Sequence, residues 1–202
     1  MEFAKYHALG NDYLVMDPAA LPLGQVNALA RRICDRHRGI GSDGILLGPM
    51  PTTEADFGLR IINPDGSEAE KSGNGLRIFA RFLHDTRRVG GDAFRISTPG
   101  GVALAQVFAE RGLIRVGMGR ASFDSEVIGI AGPRREVVGE TMTIGGRPLV
   151  CTGVSVGNPH CVVEGVDVSE REARSLGPQI ETDPRFSNRT NVQLLRVIDR
   201  TN

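Results

Sequence analysis

The spacing of apolar positions changes period several times along this chain, and each change predicts an element. Residues 3–8 and 13–16 predict short strands around a turn at Gly10-Asn11-Asp12. Over 25–37, Val26, Leu29, Ala30 and Ile33 recur at helical spacing, with Gly39 placed to end the helix. A glycine-rich loop, Gly39-Ile40-Gly41-Ser42-Asp43-Gly44, then leads into an apolar strand at 45–47. Phe57, Leu59 and Ile61 alternate with Gly58 and Arg60, and this strand runs into the turn Asn63-Pro64-Asp65-Gly66. Residues 75–84 predict a helix, with Leu76, Phe79, Ala80 and Leu83 on its apolar face. Strands at 93–98, 102–108 and 113–118 follow, joined by short turns as an antiparallel meander.

After Gly119 the pattern restarts. Strands at 140–144 and 148–156 flank Gly145-Gly146, a hairpin signal, and 161–163 follows the loop Gly157-Asn158-Pro159-His160. Residues 169–176 predict a helix with a Ser169/Glu172 capping box and a Gly177-Pro178 stop, and 191–198 a last strand. Two runs of strands, each with its own helices, predict an α+β architecture in two lobes, 1–118 and 119–202.

Composition narrows the function classes. Hydrophobic residues are 40% and charged residues 24%, ordinary for a globular protein with a real core. Zero formal net charge, no Trp and only 5% aromatics argue against a nucleic-acid partner. No stretch reaches the roughly 20 apolar residues of a membrane span, and the N-terminus has no signal pattern, so a cytoplasmic protein is expected. The odd cysteine count (Cys34, Cys151 and Cys161, none in C-x-x-C) predicts packing rather than a disulfide framework or metal knuckle. No metal site is expected. Roughly one residue in eight is glycine, which implies many tight turns and close backbone approaches.

Three segments carry candidate chemistry. Ser72-Gly73-Asn74-Gly75 opens a helix, where free N–H groups and the helix dipole suit an anion such as a carboxylate. Taken alone, Ser72 also reads as a plain N-cap and the glycines as a turn. Gly157-Asn158-Pro159-His160 offers an imidazole that could act as acid or base, or orient one, although a histidine beside a strand is more often structural. Arg189-Thr190-Asn191 is a third polar knot.

Together, in this order, the segments Gly10-Asn11-Asp12, Gly39–Gly44, Asn63-Pro64-Asp65-Gly66-Ser67-Glu68, Ser72-Gly73-Asn74-Gly75-Leu76-Arg77, Gly157–His160 and Arg189-Thr190-Asn191-Val192 resemble the diaminopimelate epimerase family over essentially the whole chain. The resemblance implies two pseudo-symmetric lobes, each a mostly antiparallel sheet wrapping a central helix, with the site in the cleft between them. It implies inversion of one Cα of a diamino dicarboxylic acid, L,L- to meso-diaminopimelate, in lysine and peptidoglycan precursor synthesis, with no cofactor. Such chemistry needs one base on each face of the Cα, and thiols suit it because a helix N-terminus can bring their pKa near working pH. By matched positions, Gly73 and Asn74 hold the α-carboxylate. Asn11, Asn63, Asn158 and Asn191 recognise the rest of the amino acid, and Ser72 and His160 are the catalytic positions. The partner expected is a small amino acid with a polar tail; a homodimer is left open.

The chain departs from the family pattern twice. Ser72 stands where the pattern has a catalytic cysteine, and an alcohol is a far weaker acid that needs help to act. The second Cys-Gly-Thr-Gly loop of the pattern is not found before Asn202, so a truncated second lobe is expected. Two alternatives therefore stand beside the epimerase: a one-base amino-acid isomerase or dehydratase of the same fold, and an inactive amino-acid-binding fragment.

Overall fold

The computed structural model describes residues 2–20 and 25–199, and it divides into a unit of residues 1–119 and a unit of residues 120–202. Met1, residues 21–24 and the final 200–202 lie outside the described residues.

The first unit opens with β1 (Ala4–Ala8) and β2 (Asn11–Met16), paired antiparallel with Ala8 opposite Asn11. Their loop is Leu9-Gly10, both left-handed at φ 49° and 93°, the two-residue turn that suits a twisted hairpin. Asn11 and Asp12, expected in the turn, are therefore strand residues. Helix α1 (Val26–Ile33) follows, ending four residues before the predicted His37. Its end is a side-chain effect. The Asp35 carboxylate accepts from the N–H groups of His37 (2.7 Å) and Arg38 (2.9 Å), starting a separate turn, while Ile40 and Gly41 N–H groups return to the Ile33 carbonyl.

Strands β3 (Ile45–Met50), β4 (Phe57–Ile62) and the short β5 (Glu68–Ala69) come next, then α2 (Gly73–Asp85) and the meander β6 (Phe94–Thr98), β7 (Gly101–Phe108) and β8 (Leu113–Gly117). They form one sheet in the order β1-β2-β3-β4-β6-β7-β8, with β5 on β4. Most pairs are antiparallel; β2–β3 and β4–β6 are parallel. β5 pairs with β4 through Ile61 and Ile62, a two-residue strand too short to leave a period in the sequence.

Helix α2 packs on β1 and β2 from one end of the sheet and on β7 and β8 from the other, so the sheet curls around it as a half-barrel. Leu76, Phe79, Ala80 and Leu83, with Ile78, fill the interior against Tyr13, Val15, Leu46, Ile61, Ile96 and Ala105. Truncating the fully buried Phe79 to Ala would cost about 3–5 kcal/mol. A second layer lies behind the sheet. Val26, Ala30 and Cys34 from α1 and the residue after it cover Leu14, Met16, Ile45, Leu47 and Ile62. β2 and β3 are thus buried on both faces, which is why their runs are continuously apolar rather than alternating.

The second unit holds α3 (Ser125–Ile128), β9 (Glu140–Ile144), β10 (Arg147–Ser155), β11 (Pro159–Glu164), α4 (Glu170–Glu181) and β12 (Asn191–Leu195). Its sheet order is β12-β11-β10-β9, antiparallel except for β11–β12. Ser169 caps α4 by accepting from Glu172 N–H at 3.2 Å, but the Glu172 carboxylate turns to Arg147 (2.8 Å), so only half the expected capping box forms. The helix also runs through Pro178 to Glu181, past the predicted stop. Burial of Leu176 and Ile180 against Val163 and Met142 rewards the extra turn, although proline supplies no N–H there. The short α3, capped by Asp124, and the early end of β12 at Leu195 were not expected either. Cys34, Cys151 and Cys161 are all buried and unpaired.

Candidate active site

In the first unit the site grows from the start of β2. Asn11 and Asp12 lie beside the glycine-rich loop, where Asp43 N–H donates to the Asp12 carbonyl at 2.8 Å. The Asp43 carboxylate accepts from Asp12 N–H (3.1 Å) and from Asn11 Nδ2 (3.2 Å). Arg36 bridges Asp12 (2.6 Å) and Asp43 (2.8 Å), and Lys5 adds a 3.0 Å contact to Asp12. The Arg36 hydrogen bond, helped by Lys5, holds the Asp12 carboxyl well below the usual carboxylate range.

These contacts orient a chain of amides. With Asn11 Nδ2 on Asp43, its Oδ1 faces Asn74 and accepts from Asn74 Nδ2 at 2.7 Å; Asn74 Oδ1 in turn accepts from Arg77. A carboxylate can only accept and a guanidinium can only donate, so the two ends fix which way both amides point. The sequence reading named Asn11 and Asn74. It missed Asp43 and Arg77, which set their polarity.

Asn74 stands in the first turn of α2. Ser72 is the N-cap, extended at φ −142° and ψ 118°, with Oγ accepting from Gly75 N–H at 3.0 Å and its carbonyl accepting from Leu76 N–H at 2.8 Å. The Gly73 and Asn74 N–H groups lie before the helix's own ladder and point out of its positive end. The two glycines differ. A Cβ on Gly75 would press on Leu46 and Ser72 at 3.1–3.2 Å, so any side chain there requires these neighbours to give way by a few tenths of an ångström. On Gly73 it would meet only Met118 and Arg77, no nearer than 3.7 Å, so its small size serves access to the backbone rather than packing. Beside them Lys71 is buried, its Nζ donating to the Met118 carbonyl at 3.3 Å, and burial lowers its pKa.

Tyr13 also reaches this point. It is buried on the α2 side of β2, and its ring lies against Gly44. Burial raises its pKa, Ser72 works the other way, and the Asp43 charge adds to the rise. A tyrosine beginning the apolar run Leu14-Val15-Met16 was the only sequence signal for it. Asn63, in contrast, bonds within its own turn: Nδ2 donates to Ser67 Oγ at 3.0 Å and its carbonyl accepts from Gly66 N–H at 2.9 Å.

In the second unit Asn158, His160 and Asn191 come together. β11 and β12 place His160 opposite Asn191, whose Nδ2 donates to the Pro159 carbonyl at 2.9 Å. His160 Nε2 lies 3.1 Å from Asn158 Oδ1 and its Nδ1 3.3 Å from Gln193 Oε1, a partner the sequence reading did not name. Burial lowers the imidazole pKa, so the ring is neutral near pH 7. A neutral imidazole carries one N–H, so it donates to one of these two amide oxygens, the choice setting its tautomer. Among the described residues no group of three or more His, Cys, Asp or Glu side chains could hold a metal ion, and no helix is long and apolar enough to cross a membrane.

Comparison with known proteins identifies the family. The sequence model of the family described as diaminopimelate epimerase matches residues 3–124. The chain is 48% identical to diaminopimelate epimerase 2 of Nostoc sp., over 100% of its own length and 70% of that protein's. The chain belongs to the diaminopimelate epimerase family. It is also 40% identical to the diaminopimelate epimerase of Pelotomaculum thermopropionicum, covering 98% of this chain and 72% of that one. Among solved structures, a hydroxyproline epimerase from Agrobacterium vitis superimposes with a TM-score of 0.57 at 16% identity, over 89% of this chain and 54% of its own. A predicted epimerase from Pseudomonas aeruginosa gives 0.55 at 19% identity, over 92% and 64%. These two likenesses carry the fold alone. Family membership supports a cofactor-independent amino-acid epimerase, an isomerase whose substrate is a small amino acid.

Proposed function

We propose that this chain inverts one Cα of L,L-diaminopimelate toward the meso form, in lysine and cell-wall precursor synthesis in the cytoplasm. The observation that carries the reading is the first turn of α2: two outward N–H groups, on Gly73 and Asn74, next to an amide chain whose polarity is fixed by Asp43 and Arg77. A carboxylate bound there draws charge off the Cα as the proton leaves, since amides and dipole are already oriented for the enolate-like carbanion. Asn11 and Asn63 offer donor and acceptor to the amino acid, and the family pattern assigns Asn158 and Asn191 of the second unit the same kind of role. Ser72 is assigned the proton-transfer position on its face of the carbon, and His160 an orienting role. A homodimer belongs to this reading as its assembly state.

One observation favours a second reading, one-base isomerisation or dehydration. Ser72, an alcohol, occupies the cysteine position, and it is already engaged with Gly75 N–H. Incubation with L,L-diaminopimelate in heavy water separates the two. Deuterium at Cα with formation of the meso isomer supports epimerisation. Deuterium with retained configuration supports the one-base reading, and absence of exchange with measurable binding would sink both in favour of a binding fragment.

A further inference from the structure

We propose that Lys71 is the catalytic base at the Ser72 position: its buried amine, beside the first turn of α2, takes the proton from the substrate Cα and returns it in the reverse direction. The proposal rests on the epimerase reading of the α2 N-terminus and deepens it by naming the group that moves the proton there.

Among the described residues Lys71 is the one charged residue that is buried, at 5% exposure. Lysine is rarely buried without a carboxylate partner, and here the only acceptor of its three Nζ hydrogens is the Met118 carbonyl at 3.3 Å. Met118 also borders the cradle, since its Sδ would lie 3.7 Å from a Cβ on Gly73. Lys71 and Met118 thus share the wall beside which a carboxylate on the Gly73 and Asn74 N–H groups would lie. Two positive neighbours, the start of α2 and the Arg77 guanidinium beside Gly73, disfavour an ammonium there, and burial lowers the amine pKa further. The choice of lysine is itself informative. Of the 24 basic residues only Lys5 and Lys71 are lysines, the rest being arginine, which cannot give up its proton to serve as a base. Lys5 is paired with Asp12 at 3.0 Å; Lys71 has no such partner among the described residues.

A serine hydroxyl is a poor base for Cα–H, whereas a desolvated primary amine is a competent one. In the forward step the Nζ lone pair bonds to the proton as the Cα–H bond breaks. The electron pair left on Cα spreads into the carboxylate held by the Gly73 and Asn74 N–H groups. In the reverse step an ammonium N–H bond breaks, the proton returns to the carbanion and the neutral amine is regenerated. When the ammonium exchanges its hydrogens with heavy water between the two steps, the cycle leaves deuterium at Cα. The base that an alcohol at position 72 does not supply is thereby furnished by the residue before it.

Two measurements on the whole chain test this. Because Lys5 and Lys71 are the only lysines, growth on carbon-13 lysine labels two side chains, and Lys71→Arg assigns their NMR signals. The Lys71 Cε signal should titrate at lower pH than free lysine; titration at or above the free-lysine range would overturn the proposal without any turnover being needed. The second measurement follows deuterium entering Cα of L,L-diaminopimelate in heavy water. Lys71→Ala should lower kcat for exchange about a thousandfold, with KM changed less than about threefold. Lys71→Arg, which keeps a cation but cannot accept a proton, should be no more active. Methylamine, ethylamine or fluoroethylamine added to Lys71→Ala should restore exchange at least about tenfold, most strongly with the most basic free amine, a dependence that a merely structural lysine would not produce. Exchange that survives Lys71→Arg, or a Lys71→Ala chain with parent-like circular dichroism that no amine rescues, would overturn the proposal and leave the epimerase reading standing. Absence of exchange in the parent chain removes the epimerase reading itself, and this proposal with it.

Discussion

Ser72 is asked to cap a helix and to face an anion, and two substitutions separate those duties. Ser72→Ala removes the acceptor 3.0 Å from Gly75 N–H. Gly75 is buried, so water replaces that bond poorly, and the loss should fall in the upper part of the usual N-cap range, about 1.5 kcal/mol. With a urea dependence of about 2 kcal/mol per molar for a unit this size, the midpoint should fall by roughly 0.7 M. Ser72→Asp keeps an oxygen acceptor and adds a negative charge at the helix's positive end, so stability should stay within about 0.5 kcal/mol of the parent. Binding should respond in the opposite sense. A carboxylate about 4 Å from the substrate carboxylate, at an effective dielectric near 20, opposes binding by about 4 kcal/mol, or roughly a thousandfold in Kd. Urea unfolding by circular dichroism and calorimetric titration with L,L-diaminopimelate measure the two quantities on the same samples. Parent-like affinity in Ser72→Asp would refute the anion cradle at α2. An unchanged midpoint in Ser72→Ala would refute the capping argument independently.

Three further outcomes follow from the geometry. Gly44→Ala should cost about 2–3 kcal/mol in urea unfolding, because its Cβ would fall 2.6 Å from the Ile62 carbonyl and 2.8 Å from the Tyr13 ring, neither free to move; a loss below about 0.5 kcal/mol would contradict that close approach. His160 has a lowered pKa in the folded chain, so the unfolded chain takes up the proton first as pH falls. Its contribution is then intact above the ordinary imidazole range and lost below it. The urea midpoint should drop between pH 7.5 and 5.5, and His160→Gln should flatten that slope; an identical slope in the variant would count against it. Pro178→Ala restores an N–H inside α4 and should stabilise the second unit by about 1 kcal/mol in the same assay; destabilisation would mean that the proline ring packs better than the helix ladder it interrupts.

What could be read from the sequence was carried by residues close together in it. The stripe Leu76, Phe79, Ala80 and Leu83 predicted α2, Gly145-Gly146 predicted the β9–β10 hairpin, and Ser72 and Ser169 predicted the two caps. Errors arose where a distant or side-chain interaction decided the outcome. Asp35 ended α1 early by capping the next turn, and burial of Ile180 drew α4 through Pro178. Leu9 adopted a left-handed conformation that β-sheet pairing supports and propensity would not predict.

The same division runs through the candidate site. Ser72-Gly73-Asn74 is contiguous and was legible as an anion cradle. What orients it is not contiguous: Asp43 to Asn11 spans 32 residues and Asn11 to Asn74 spans 63. Asparagine amides have no intrinsic direction, and only a carboxylate at one end and a guanidinium at the other give this chain one. Serine at a position patterned for cysteine reads, in sequence, as a lost function. The fold supplies a context that the substitution alone does not show, because the same Oγ that faces the substrate position caps α2 through Gly75 N–H.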